Sequence, residues 1–323
     1  MSAVGPGVGR AIKPDVLFPS GRQLFDVPPG SSGGVTVLTP SKVTAFPPGQ
    51  RAAAPGAQPG ELSATRYLCG TSNAAALASR AAARVCERFP ELLDGNDLNQ
   101  PPGRRYLAPL LKAFLAHGAL WGEAPEVLRE LLAGPDRSRA SRATMGRLLG
   151  YGFADQERVT SCQEERVTLV GWNELAAEEG HIYLVPLPPS LSGKPVWKRL
   201  VITLAWLTPI HPRDRRYRRA QLWFEPPGRT ELKELLAVKG CEADGRTTGR
   251  GTLQHEVFEG AKAAAFTADD HLAVKVSCRE HAPKLADKVP YGLLVTLEVA
   301  PGVEIPIYEE VRLRLRPRVV VEP

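Results

Sequence analysis

Gly70-Thr71-Ser72-Asn73-Ala74-Ala75 opens an alanine-rich run that continues to about Arg88. Glycine permits a tight backbone turn, and the hydroxyl residues at 71 and 72 stand where a helix would begin. Ala74, Ala75, Ala76, Ala78, Ala81, Ala82 and Ala83 predict a thin helix able to thread a crowded core. A serine in the first turn of a helix lies beside unpaired backbone N–H groups and over the positive end of the macrodipole. Such groups stabilise an oxyanion. Ser72 is therefore a candidate nucleophile, with Gly70 and Thr71 shaping the turn that presents it. The competing reading makes Ser72 or Thr71 a plain N-cap of a buried helix.

Segments on either side extend the pattern. Ser2-Ala3-Val4-Gly5-Pro6 and Ile12-Lys13-Pro14-Asp15-Val16-Leu17-Phe18-Pro19 stand upstream, and Gly150-Tyr151-Gly152 stands downstream. In this order they resemble the Ser-X-X-Gly-Pro stretch, the Lys-Pro-Asp-Val-X-Ala-Pro-Gly stretch, the Gly-Thr-Ser-X-Ala-Ala serine motif and the late glycine-rich turn of the subtilisin-like serine proteases, the subtilases. The resemblance covers roughly residues 1–165. It departs locally at Ala76, where the family usually has proline, and at Leu17-Phe18-Pro19-Ser20, where it has Ala-Pro-Gly. It implies an α/β fold over residues 1–165, the C-terminal part of a subtilisin-like parallel-sheet domain. It also implies a peptide or protein substrate, cleaved through an acyl-enzyme on Ser72 whose own N–H helps hold the oxyanion. No cofactor and no metal are implied.

The family's triad runs Asp, His, then Ser. No histidine precedes Ser72, and all six (117, 181, 211, 255, 271, 281) follow it. The family's oxyanion asparagine also belongs before the Ser-X-X-Gly-Pro stretch. Loss of the histidine alone costs such an enzyme about 10⁶ in turnover. The expectation is a fragment, or one half of a split enzyme, inactive alone and completed by an N-terminal half chain supplying Asp and His. His117 ends an apolar helical run from Tyr106 before Gly118, where a macrodipole favours an imidazolium. It is read as structural.

Elsewhere in residues 1–165, Lys13–Phe18 and Val35–Leu38 suit short strands. Residues 47–60, rich in Pro, Gly and Ala, read as a flexible surface loop. Helical patterns cover 106–121, 124–133 and 139–149.

From about Arg166 the pattern turns to strands, at 167–172, 181–186, 198–207, 220–224, 252–258, 272–278, 293–299 and 311–316. Short strands with turn residues between them predict an antiparallel β-sandwich over 166–323, an accessory domain that folds without residues 1–165. Thr203-Leu204-Ala205-Trp206-Leu207-Thr208-Pro209 resembles the β-rich extension of certain large bacterial subtilases. Some of these are encoded beside an AAA-type ATPase in phage-defence gene pairs, which implies an ATPase as a partner.

Composition fits a globular protein: 43% hydrophobic and 24% charged over 323 residues. No apolar run approaches the length of a membrane span, and Met1 onward does not read as a signal peptide. Five cysteines without a C-x-x-C pair read as reduced thiols, which favours a cytoplasmic location. The charge of +6 includes Arg213-Asp214-Arg215-Arg216-Tyr217-Arg218-Arg219. Such a loop can bind phosphate or an acidic partner, but its first reading is a solvated connection. No recognition motif supports nucleic acid. The alternative to a protease is a non-catalytic binding or regulatory protein built on the sandwich.

Overall fold

Short elements come first, because proline and glycine interrupt the early chain. The structure, a computed structural model, describes residues 6–28, 37–92, 101–131, 139–161, 163–225, 250–315 and 319–322. Strand β1 (Phe25–Asp26) pairs with β2 (Thr39–Pro40), and β3 (Gln50–Ala53) with β4 (Thr65–Leu68). Helix α1 (Thr71–Leu92) and helix α2 (Pro101–His117) follow. Strands β5 (Ala119–Leu120) and β6 (Phe153–Ala154) then enclose α3 (Ala124–Leu131) and α4 (Arg139–Leu149). After α5 (Glu157–Thr160) come β7 (Arg166–Leu175), β8 (Gly180–Pro186), β9 (Lys198–Trp206), β10 (Ala220–Glu225), β11 (Leu253–Gly260), β12 (His271–Glu280) and β13 (Val289–Val299). Helix α6 (Ile307–Arg314) and strand β14 (Val319–Glu322) end the described chain.

Two antiparallel sheets form, in the orders β10-β12-β8-β14 and β11-β9-β13-β7. Alternate residues of a strand face opposite sides. In β9, Leu200, Ile202, Leu204 and Trp206 are all fully buried and meet Leu222, Phe224, Val274 and Val276 of the other sheet. Each such side chain contributes about 1.5–3 kcal/mol on leaving water. The opposite face of the same sheet is covered by α2, whose Leu110, Ala113 and Phe114 join Ala205, Leu253 and Leu294 in a second core. That cover requires a glycine. A Cβ on Gly292 of β13 would stand 2.9 Å from Leu110 Cα, so the helix backbone rests almost directly on the strand. The architecture is therefore sheet, sheet, helix. Its core runs across residue 165, because α2 belongs to the earlier part of the chain.

Mixed helices with antiparallel sheets are what the structure shows. Among the described residues the parallel strand contact is a single bridge, Leu17 with Phe153. Seven expected strands of the sandwich form with modest changes of boundary. The eighth, 311–316, is corrected: residues 307–314 are helical and 316 lies outside the described residues. Ile307 and Val311, four apart, are both buried, whereas Leu313 is 77% exposed, so the spacing that governs burial is helical. Acidic Glu309 and Glu310 also sit in the first turn, where the dipole favours them. The strand that completes that sheet is β14 instead. Part of the expected loop 47–60 is strand β3. Val37 and Leu38 are exposed and outside any strand, and residues 35–36 lie outside the described chain.

Candidate functional site

The segment 15–20 is bonded at its two ends to the glycine turn 150–154 and to the serine turn, while residues 2–5 of the Ser2–Pro6 stretch lie outside the described residues. Leu17 N–H donates to Gly152 O at 2.8 Å, Ala154 N–H returns to Leu17 O at 3.0 Å, and Tyr151 N–H donates to Asp15 O at 2.8 Å. Two glycines make this approach possible. Gly150 has φ +60, and a Cβ there would lie 2.2 Å from Pro14 O. Gly152 has φ +121, and a Cβ there would lie 2.3 Å from Leu120 O. At the other end of the upstream segment, Ser20 O accepts from Gly70 N–H at 2.9 Å and from Asn73 Nδ2 at 3.3 Å. Asn73 Nδ2 also donates to Leu68 O at 3.1 Å. The turn that opens α1 is thus pinned to β4 and to the segment ending at Ser20.

Ser72 stands in the first turn of α1 and is exposed, as is Thr71. Space beside the turn is open, since a Cβ on Gly70 would meet nothing within 4 Å. Asn73 N–H is taken by Gly70 O, but Ser72 N–H has no backbone partner among the described residues. What the site offers is therefore a hydroxyl, a free N–H and the positive end of a long helix. It offers no base: no histidine or carboxylate hydrogen-bonds to Ser72 among the described residues.

The histidines have other work. His117 is 5% exposed; its Nδ1 lies 2.7 Å from Thr203 Oγ1 and its Nε2 2.6 Å from Thr296 Oγ1. His255 Nδ1 lies 2.7 Å from the same Thr203 Oγ1, and its Nε2 3.0 Å from Ala119 O. A carbonyl only accepts, so His255 Nε2 carries the proton and its Nδ1 accepts from Thr203. Thr203 then accepts from His117 Nδ1, and His117 Nε2 accepts from Thr296, which accepts from Thr168 at 2.7 Å. Both imidazoles are neutral in this chain. Burial pushes the pKa of His117 well below the ordinary range, helped by His255 and Arg158, and burial pushes His255 down to about 4. The structural reading of His117 stands, but burial, not the macrodipole, sets its charge. His181 is buried too, with Nδ1 2.7 Å from Tyr291 Oη.

Half-buried Arg158 and Arg199 and buried Lys198 have partners. Arg199 binds Glu298 at 2.9 Å, Arg158 also binds Glu298, and Lys198 Nζ donates to the carbonyls of Lys194, Val196 and Lys262 at 2.7–3.3 Å. The arginine loop is a folded turn between β9 and β10. Arg216 grips Asp214 through two bonds of 3.1 Å, and Arg219 donates to Lys284 O at 2.7 Å. Arg213 and Arg215 are exposed. Cys69, Cys86 and Cys278 are free thiols. Among the described residues no helix is long and apolar enough to cross a membrane, and no cluster of three His, Cys, Asp or Glu is placed to hold a metal.

No family model matches the chain. The chain is similar to an uncharacterized protein, y4bN, of Sinorhizobium fredii, at 23% identity over 343 aligned residues. That alignment spans 98% of this chain and 69% of the other protein.

Proposed function

We propose that the chain is the serine-bearing part of a subtilisin-type endopeptidase, with Ser72 as nucleophile. The observation that carries this reading is that the segment 15–20 is hydrogen-bonded through its backbone to both other segments, to 150–154 near its start and to Gly70 at its end. Those are the segments whose residues resemble the family. A serine-protease nucleophile must reach substrate, and Ser72 is exposed above open space.

In this reading Ser72 Oγ attacks the scissile carbonyl of a peptide, its own N–H and the N-terminus of α1 hold the oxyanion, and an acyl-enzyme forms. The proton of Ser72 needs a base. A second polypeptide segment supplies the histidine, its aspartate and the oxyanion asparagine, and it packs beside α1, where Ala75, Ala76 and Ala83 are exposed. The parallel sheet of such a domain is then built jointly, with the Leu17–Phe153 bridge as this chain's share. An AAA-type ATPase is a further partner of the assembled enzyme.

Turnover of a quenched protein substrate tests the reading. The chain alone gives none, and adding the polypeptide encoded upstream gives turnover that Ser72→Ala abolishes. Equal turnover by Ser72→Ala, or none from any mixture, overturns it and leaves a binding protein.

A further inference from the structure

Each of the two large sheets ends in two edge strands, β10 and β14 in one and β11 and β7 in the other. An edge is normally blunted by shortness, charge or a covering group. Gln254 covers β10: its Oε1 accepts from Phe224 N–H at 2.9 Å and its Nε2 donates to Phe224 O at 3.2 Å. β11 carries Glu256 and Glu259, and its Leu253 O accepts from Tyr151 Oη at 2.9 Å. β14 has only 4 residues. β7 is different. Between Arg166 and Glu174 it runs Val167-Thr168-Leu169-Val170-Gly171-Trp172-Asn173, without a charge or a proline.

Register shows which backbone groups lie open. Val299 N–H donates to Glu165 O at 3.0 Å, so the odd residues of β7 bond to β13 and the even ones point N–H and C=O the other way. Arg166 uses that outer side for Gln163, at 3.1 and 3.3 Å. Glu174 N–H is taken by Asn173 Oδ1 at 2.8 Å. Thr168, Val170 and Trp172, all half-buried, have no backbone partner on the outer side among the described residues. The flanking charges are opposite in sign. Arg166 is 8% exposed and donates through Nη2 to Ser161 O at 2.8 Å, but its Nε is buried without a partner. No carboxylate pairs with it among the described residues, and burying an unpaired charge is costly. Glu174 Oε2 lies 2.9 Å from Arg105.

We propose that the open edge of β7 pairs with β7 of a second copy of this chain, antiparallel about a two-fold axis at Val170. Val170 then opposes itself, Thr168 opposes Trp172, and both residues of each pair exchange N–H and C=O bonds. The same register sets Arg166 of one copy opposite Glu174 of the other, and so brings a carboxylate to the buried guanidinium. Only this centre uses all three open residues. A two-fold at Thr168 sets Val170 against the occupied backbone of Arg166, and one at Trp172 sets Thr168 against residue 176, beyond the strand. The surface does not involve Ser72, so it stands or falls apart from the proteolytic reading.

The test is sedimentation of the full chain from micromolar to millimolar concentration, with amide exchange measured at both ends of the range. The expected result is a shift from one chain to two, with slower exchange at Thr168, Val170 and Trp172 in the dimer. Val170→Pro removes an N–H that bonds to nothing within the chain, so the variant keeps its fold and stays single. Glu174→Gln weakens pairing about tenfold or more, the loss of a charge-assisted contact. A chain that stays single throughout overturns the proposal, as does a dimer whose three amides exchange as fast as in the monomer. Slow exchange at every concentration, the mark of an edge covered within one chain, overturns it as well.

Discussion

Thr203 holds two imidazoles at once, and this single hydroxyl fixes the protonation of both. It donates to His255 and accepts from His117, so replacing it by valine strands two ring nitrogens in a dry interface. Thr203→Val is expected to cost about 1–3 kcal/mol for each, read from urea denaturation. The pH dependence has a definite sign. Unfolded histidine titrates near 6.5, whereas His255 titrates near 4 in the fold and His117 also lies well below its ordinary value. As pH falls below about 6.5 the unfolded chain takes up protons that the folded chain refuses. Stability is then full above that pH and drops by up to about 1.4 kcal/mol per pH unit for each histidine on the way down. Melting curves between pH 7 and 5 check this, and His255→Gln should flatten the slope. None of this was legible in the sequence. Thr203 opposes His255, and Thr296 opposes Thr168, only because of strand register. A residue list does not contain register.

At the level of elements, close approach decides more than propensity does. Gly292→Ala drives a methyl into the backbone of α2 and is expected to cost about 1–3 kcal/mol, the usual penalty of overpacking. Gly150→Ala combines a left-handed backbone with a collision at Pro14 O. It should free the 12–17 segment, seen as faster amide exchange at Leu17 and Tyr151. The strands of the sandwich were legible because the first half of β12 carries the period-two burial of a half-exposed strand, while β9 is a near-continuous apolar run buried on both faces. The run Val311-Arg312-Leu313-Arg314-Leu315 shows the same alternation and yet is mostly helical. Only Val311 of its apolar residues is buried, against the cluster containing Ile305 and Ile307. Alternation identifies a strand when a partner face exists, and here the packing partner selects positions four apart.

For the molecule as a whole, helix α2 unites the earlier and later parts of the chain. It covers β9 and β13, and Arg105 on it donates to Lys288 O at 2.8 Å. The relative aligned along 98% of this chain spans both parts together. Residues 166–323 alone should therefore expose the Ala205, Leu253 and Leu294 face and bind a hydrophobic dye, whereas 101–323 should not bind it. The sequence suggested a sandwich able to stand alone, but β9 and β13 are buried nearly throughout because α2 covers the second face of their sheet. Ser72 was singled out by its motif and is exposed at the start of α1; its role as a nucleophile that needs a base from elsewhere is the proposal. Fluorophosphonate labelling, with the modified residue mapped by mass spectrometry, tests that claim most directly. The account expects no label on the chain alone and a label on Ser72 once the upstream-encoded polypeptide is added, lost in Ser72→Ala. A labelled chain without its partner, or an unlabelled Ser72 in the mixture, would contradict it.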